Sequence, residues 1–140
     1  MRVIVFVKAT EDSEASALPT PGLIEAMGKY NEELINAGIM VGGDGLKASK
    51  YGKRIAFDGA SRTVTDGPFA ETRELVSGFW IWEVKDMDEA VAWARRCPNP
   101  MPGPSDLELR PVITMEDFAE VMTEEGAAIH ARNEALLSGD

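Results

Sequence analysis

The sequence predicts an α+β domain of the ferredoxin-like βαββαβ type, with an inserted β-hairpin and a C-terminal helical extension. Three observations predict it. Strand-like and helix-like apolar patterns follow one another in the order strand, helix, strands, strand, helix, strand. The segment between the two helices contains two β-branched runs around Asp58-Gly59-Ala60-Ser61, which reads as a hairpin. The first strand and the strand near residue 80 are apolar on both faces, as buried strands are.

Residues 2–8 form the first strand, with Val3, Val5 and Val7 on one face and Ile4 and Phe6 on the other. Residues 9–19 are polar and read as a mobile loop. Thr20 is the N-cap of the first helix and Pro21 its first residue. Leu23, Met27, Tyr30 and Leu34 recur at helical spacing, Ile24 and Ile35 widen the stripe, and Gly38 ends it. Ile39-Met40-Val41 is a short strand, and Gly42-Gly43-Asp44-Gly45 reads as a flexible turn. Residues 54–57 and 62–65 make the hairpin. Residues 78–84 are the strongest strand, with Trp80, Trp82 and Val84 on one side and Phe79 and Ile81 on the other.

Asp86 caps the second helix, and Glu89 completes a capping-box-like pair. Its buried stripe is Ala90, Val91, Ala94 and Cys97, with Trp93 at the edge, and Pro98 stops it. Residues 98–104, rich in proline, form an extended loop. Residues 107–112 are the last strand, which Pro111 assigns to a sheet edge. Thr114 then caps a C-terminal helix whose face carries Met115, Phe118, Met122 and Ile129, and which Gly126 divides. The expected division is residues 1–112 as the core domain and 113–140 as the extension.

In a βαββαβ fold the helices cover one face of the sheet. Leaving large apolar side chains on the other face would cost on the order of 25 cal/mol per Å². The C-terminal helix or a second copy must cover it, and the second option is a two-fold homodimer.

Composition narrows function. The chain has 140 residues and a net charge of −10, with a pI near 4.6. That argues against nucleic acid and against an anionic membrane surface, since both need clustered Lys and Arg. Lys47, Lys50, Lys53 and Arg54 are the only basic cluster. A lone cysteine, Cys97, forms no intrachain disulfide and fits a reducing cytoplasm. The apolar run at the N-terminus is too short for a signal peptide or a membrane span.

Chemistry concentrates in Asp66-Gly67-Pro68-Phe69-Ala70-Glu71-Thr72-Arg73-Glu74. Asp66 before Gly67-Pro68 makes a rigid corner, its carboxylate accepting backbone N–H groups, and the corner aims Phe69. Two readings follow: a structural turn with solvated charges, or the polar rim of a pocket walled by Phe69. In the second, Asp66, Glu71 and Arg73 are the acid–base and anion-pairing candidates. Tyr30, Phe69, Trp80 and Trp82 would line the pocket, or else pack the core. No metal or cofactor is expected. His130 with Glu134 supplies only two ligands. Cys97 sits at a helix C-terminus, where a thiolate is disfavoured. No Gly-x-Ser-x-Gly elbow is present, and the Gly42–Gly45 run opens no helix that would bind phosphate.

The nonapeptide resembles the signature of the DGPF-domain proteins of the YciI-related group. Tyr30, Ala37-Gly38, Val41-Gly42-Gly43, Gly78-Phe79, Asp86 with Ala90, Ala94-Arg95-Arg96-Cys97-Pro98 and Glu108-Leu109-Arg110-Pro111 extend the likeness over residues 1–112. The resemblance implies a ferredoxin-like fold of the dimeric α/β-barrel class in a bacterial cytoplasmic protein. YciI proteins proper carry a histidine on the first helix and an aspartate before a proline after the second. Here the first helix has no histidine and Cys97 precedes Pro98, so that dyad does not carry over. The resemblance leaves two functions open. One is a small-molecule enzyme, isomerase- or lyase-like, with a pocket near the signature loop. The other is a non-catalytic binding or regulatory module linked to transcription, since some relatives are encoded beside sigma factors. An acidic surface would suit a basic protein partner.

Overall fold

Four strands make the main sheet of the computed structural model, which describes residues 1–139. They are β1 (Arg2–Lys8), β2 (Met40–Gly45), β5 (Val76–Glu83) and β6 (Leu107–Pro111), with β3 (Lys53–Asp58) and β4 (Ser61–Asp66) forming a separate hairpin. The helices are α1 (Glu11–Glu14), α2 (Pro21–Asn36), α3 (Met87–Ala94) and α4 (Glu124–Ser138). The main sheet runs β2-β5-β1-β6, antiparallel throughout. This is the predicted βαββαβ order, with β3–β4 inserted and β6, which carries Pro111, at an edge. Asp140, the last residue of the expected extension, lies outside the described residues.

Register sets the two faces. Val3, Val5 and Val7 stand opposite Trp82, Trp80 and Gly78, and on the other side Val5 and Val7 stand opposite Leu109 and Leu107. These side chains share the helix-covered face. Tyr30 and Leu34 of α2 and Ala90 of α3 close over them to form the core. Trp82, Leu34, Val3 and Val5 are fully buried. Across the sheet, Ile4 pairs with Ile81 and Phe6 with Phe79, and these four are only half-buried.

The helix signals act as expected at their starts. Thr20 Oγ1 accepts from Leu23 N at 3.2 Å, and Gly38 leaves α2 at φ +74°. Asp86 Oδ1 accepts from Glu89 N at 2.9 Å, while the Glu89 carboxylate accepts from Lys85 N rather than from the cap itself.

Several local expectations are corrected. Residues 9–19 include a helical turn, because Thr10 and Ser13 form a capping box around it. Gly42–Gly45 is strand, not turn; pairing with β5 supplies its hydrogen bonds, and a bulge at Val41 lets it enter the sheet. Ile24, Ile35 and Val91 are exposed, so the buried stripes of α2 and α3 are narrower than their apolar patterns. The C-terminal segment does break, but between a 3₁₀ helix at Met115–Val121 and α4. Thr123 caps α4 by accepting from Gly126 N at 3.0 Å, so Gly126 belongs to the first turn. Residues 115–138 contribute nothing to the buried core.

Candidate functional site

Glycine placement hollows out one end of the helix-covered face. Gly43 stands opposite Trp80 and Gly45 opposite Gly78, so all three glycines share the side that α2 covers. A Cβ on Gly43 would meet Phe79 O at 2.6 Å and Trp80 Cδ1 at 3.3 Å, so the bare backbone admits the Trp80 indole. At Gly45 a Cβ would meet nothing within 4 Å. The stripped floor is a cleft of about 760 Å³, the size of small-molecule sites. Leu23, Met27 and Asn31 of α2 form one wall, and Met101 of the proline-rich loop another. Residues 12, 13 and 16–20, with Asp44, Lys47, Ala48 and Tyr51, also line it.

Trp80 and Asn31 give the cleft direction. Trp80 Nε1 donates to Asn31 Oδ1 at 2.8 Å. An indole nitrogen is only a donor, so this bond fixes the amide orientation. Asn31 Nδ2 donates to no protein group among the described residues, which leaves an oriented donor on the cleft lining. Behind it, the Tyr30 ring meets Trp80 edge-on, with centroids 6.0 Å apart. Tyr30 Oη donates to Trp93 O at 2.7 Å. Burial raises the Tyr30 pKa, so its phenol stays neutral. Burial also pushes the Cys97 thiol up to about 11, which keeps it from acting as a thiolate near neutral pH.

The signature loop stands apart from this cleft. Asp66, Phe69, Glu71 and Arg73 are absent from its lining. The Asp66 carboxylate is ion-paired with Lys53 across the hairpin and is 74% exposed. The expected carboxylate-to-backbone bonds are replaced by others. Gly67 N donates to Gly52 O at 3.0 Å, and Phe69 N donates to Ser49 Oγ at 3.1 Å. The Gly67–Pro68 peptide is cis. The Phe69 ring lies under the Arg54 guanidinium, 4.0 Å away. Glu71 and Arg73 are exposed, Glu71 in the left-handed region at φ +61°. Of the four candidate aromatics, Trp80 alone lines the cleft. Tyr30 and Trp82 are core, and Phe69 braces the hairpin base.

Sequence reasoning missed Asn31, Gly43 and Gly45. The glycines were visible as a run, and only the pairing register places them on the helix side. His130 pairs with Glu134 at 3.2 Å, and no group of three or more potential metal ligands clusters among the described residues. No helix of the described residues is long and apolar enough to cross a membrane.

These features define a ferredoxin-like α+β domain with an open, largely apolar cleft between sheet and first helix. The chain belongs to the YCII-related domain family, whose model matches residues 1–116. It is also similar to an uncharacterised protein of Rhizobium meliloti (strain 1021), 43% identical over 49 residues. That match spans 35% of this chain and 40% of the relative, less than half of either.

Proposed function

We propose that this protein binds a small, flat, mainly apolar molecule carrying a hydrogen-bond acceptor, in the cleft floored by Gly43, Gly45 and Trp80. The carrying observation is the Trp80–Asn31 bond, which fixes one amide donor beside an aromatic wall in a largely apolar space. Pockets of this make-up orient ligands through a few placed polar groups. If the bound molecule is turned over, in an isomerase- or lyase-like reaction, the acidic residues available on the lining are Asp12 and Asp44. Asp66, Glu71 and Arg73 then serve the site from outside, through the loop that carries them. Residues 1–112 act as the binding unit, 113–140 as an extension, and the working form is a cytoplasmic homodimer.

Gly45→Val tests the site without disturbing the fold. The new side chain enters open space at a strand position that favours β-branched residues. Anilinonaphthalene sulfonate, an apolar dye with an anionic acceptor, should bind the wild type and accept energy from Trp80. The variant should lose at least about tenfold in dye affinity, with its melting temperature unchanged. Undiminished binding to the variant would count against the cleft.

A further inference from the structure

We propose that the Asp66–Glu74 loop positions one wall of the cleft, acting through Ser49 and Glu14; its functional meaning rests on the cleft reading above.

That wall is the strap of residues 10–20. Seven of its residues line the cleft, yet α1 buries no side chain. Leu18 is 91% exposed, and Ser16 turns the chain at φ +61°. A segment with so little apolar burial belongs to the part of a fold that opens most easily. What ties it down is polar. At its start Ala9 N donates to Leu75 O at 3.0 Å, and Thr10 Oγ1 approaches Met101 Sδ at 3.4 Å. In its middle, Glu14 reaches across to the turn before β3. One carboxylate oxygen accepts from Ser49 N at 3.0 Å, and the other accepts from the Ser49 hydroxyl. Both bonds are charge-assisted and therefore strong.

The Ser49 hydroxyl has one O–H to donate, and it donates to the Glu14 carboxylate. The hydroxyl oxygen in turn accepts from Phe69 N. Phe69 is delivered there by the corner of the signature loop, which presses against the same turn. A Cβ on Gly67 would collide with the Ser49 carbonyl oxygen. Three segments that are distant in sequence thus meet at one side chain. The loop orients the hydroxyl, the hydroxyl holds Glu14, and Glu14 holds the strap over the cleft. Gly67 makes no hydrogen bond to the strap among the described residues; its N–H goes to Gly52 O, so the arrangement makes a non-local prediction.

Hydrogen–deuterium exchange on the full, ligand-free chain tests it. The amides of residues 14–17, bonded to Thr10 O, Glu11 O, Ser13 O and Asp12 O, report strap opening. Glu14→Ala, Ser49→Ala and Gly67→Ala should each speed their exchange roughly tenfold or more. Ser49→Thr, which keeps the hydroxyl, should protect them as the wild type does. Amides of β1 and β5 should be unchanged in Glu14→Ala and Ser49→Ala, which separates strap release from general loosening. Anilinonaphthalene sulfonate should also dissociate faster from both variants. Unchanged strap exchange in Glu14→Ala and Ser49→Ala overturns the proposal, as does unchanged strap exchange in Gly67→Ala, or a rise shared equally by β1 and β5. Faster strap exchange with unaltered dye dissociation overturns the link to the site. Should the wild type bind no dye, the cleft reading fails, and exchange alone still decides whether the loop holds the strap.

Discussion

Trp82→Ala is expected to lose about 3–5 kcal/mol of unfolding free energy. Trp82 is fully buried, with Val3 on one neighbouring strand and Met40 on the other. Its ring lies 5.9 Å from that of Trp80, tilted by 41°. Removing it opens a cavity at the centre of the core that α2 and α3 cannot fill without leaving the sheet. Trp82 Nε1 is buried without a hydrogen-bond partner among the described residues. Leaving such a donor unmade costs roughly 1–3 kcal/mol. Trp82→Phe keeps an aromatic ring and deletes that donor, so its loss should be clearly smaller than that of Trp82→Ala. Denaturant unfolding at fixed protein concentration measures both. Equal losses would mean that ring packing is not what Trp82 contributes.

Phe6→Asp is expected to dissociate the proposed homodimer into folded monomers. Ile4, Phe6, Phe79 and Ile81 form a half-buried apolar block on the sheet face opposite the core. Phe6 and Phe79 stand side by side across the β1–β5 pair, so a carboxylate there meets an aromatic neighbour directly. Burying that carboxylate in an interface costs several kcal/mol, enough to weaken association by about a hundredfold or more. Sedimentation velocity at micromolar concentration should show a wild-type dimer and a variant monomer with unaltered circular dichroism. A wild-type monomer at that concentration would remove the dimer from the account.

The fold was legible where local signals agree with their surroundings. Thr20 with Pro21, Gly38, and Asp86 with Glu89 mark helix ends by their own chemistry. The alternation in residues 3–7 and 79–84 marks strands whatever lies beside them. Legibility failed where a distant partner decides. Glycine at 42–45 signals a turn locally, but Trp80 fills the space beside Gly43 and the ladder with β5 makes it strand. Gly126 resembled a helix breaker, yet its N–H is the group that Thr123 caps. The turn at residues 11–14 is too short to show a helical period.

The site was less legible than the fold for the same reason. The signature loop signals a corner, and the chain is bonded there to Gly52 and Ser49 rather than to the Asp66 carboxylate. What it holds could not be read, because Ser49 lies 20 residues from Phe69 and 35 from Glu14. No local pattern joins those three. Aromatic residues declare burial and not destination, so Tyr30, Trp80 and Trp82 look alike in sequence, and only register and α2 give Trp80, a core ring like the others, a face on the cleft.

On the proposed reading, ligand binds in the glycine-floored cleft while the signature loop serves as its brace. Heteronuclear NMR during titration with anilinonaphthalene sulfonate tests this most directly. The Trp80 indole N–H, the Asn31 side-chain amide and the backbone amides of Gly43 and Gly45 should shift together and saturate at one dye per chain. Shifts confined to residues 66–74, with the Trp80 and Asn31 signals unmoved, would contradict it.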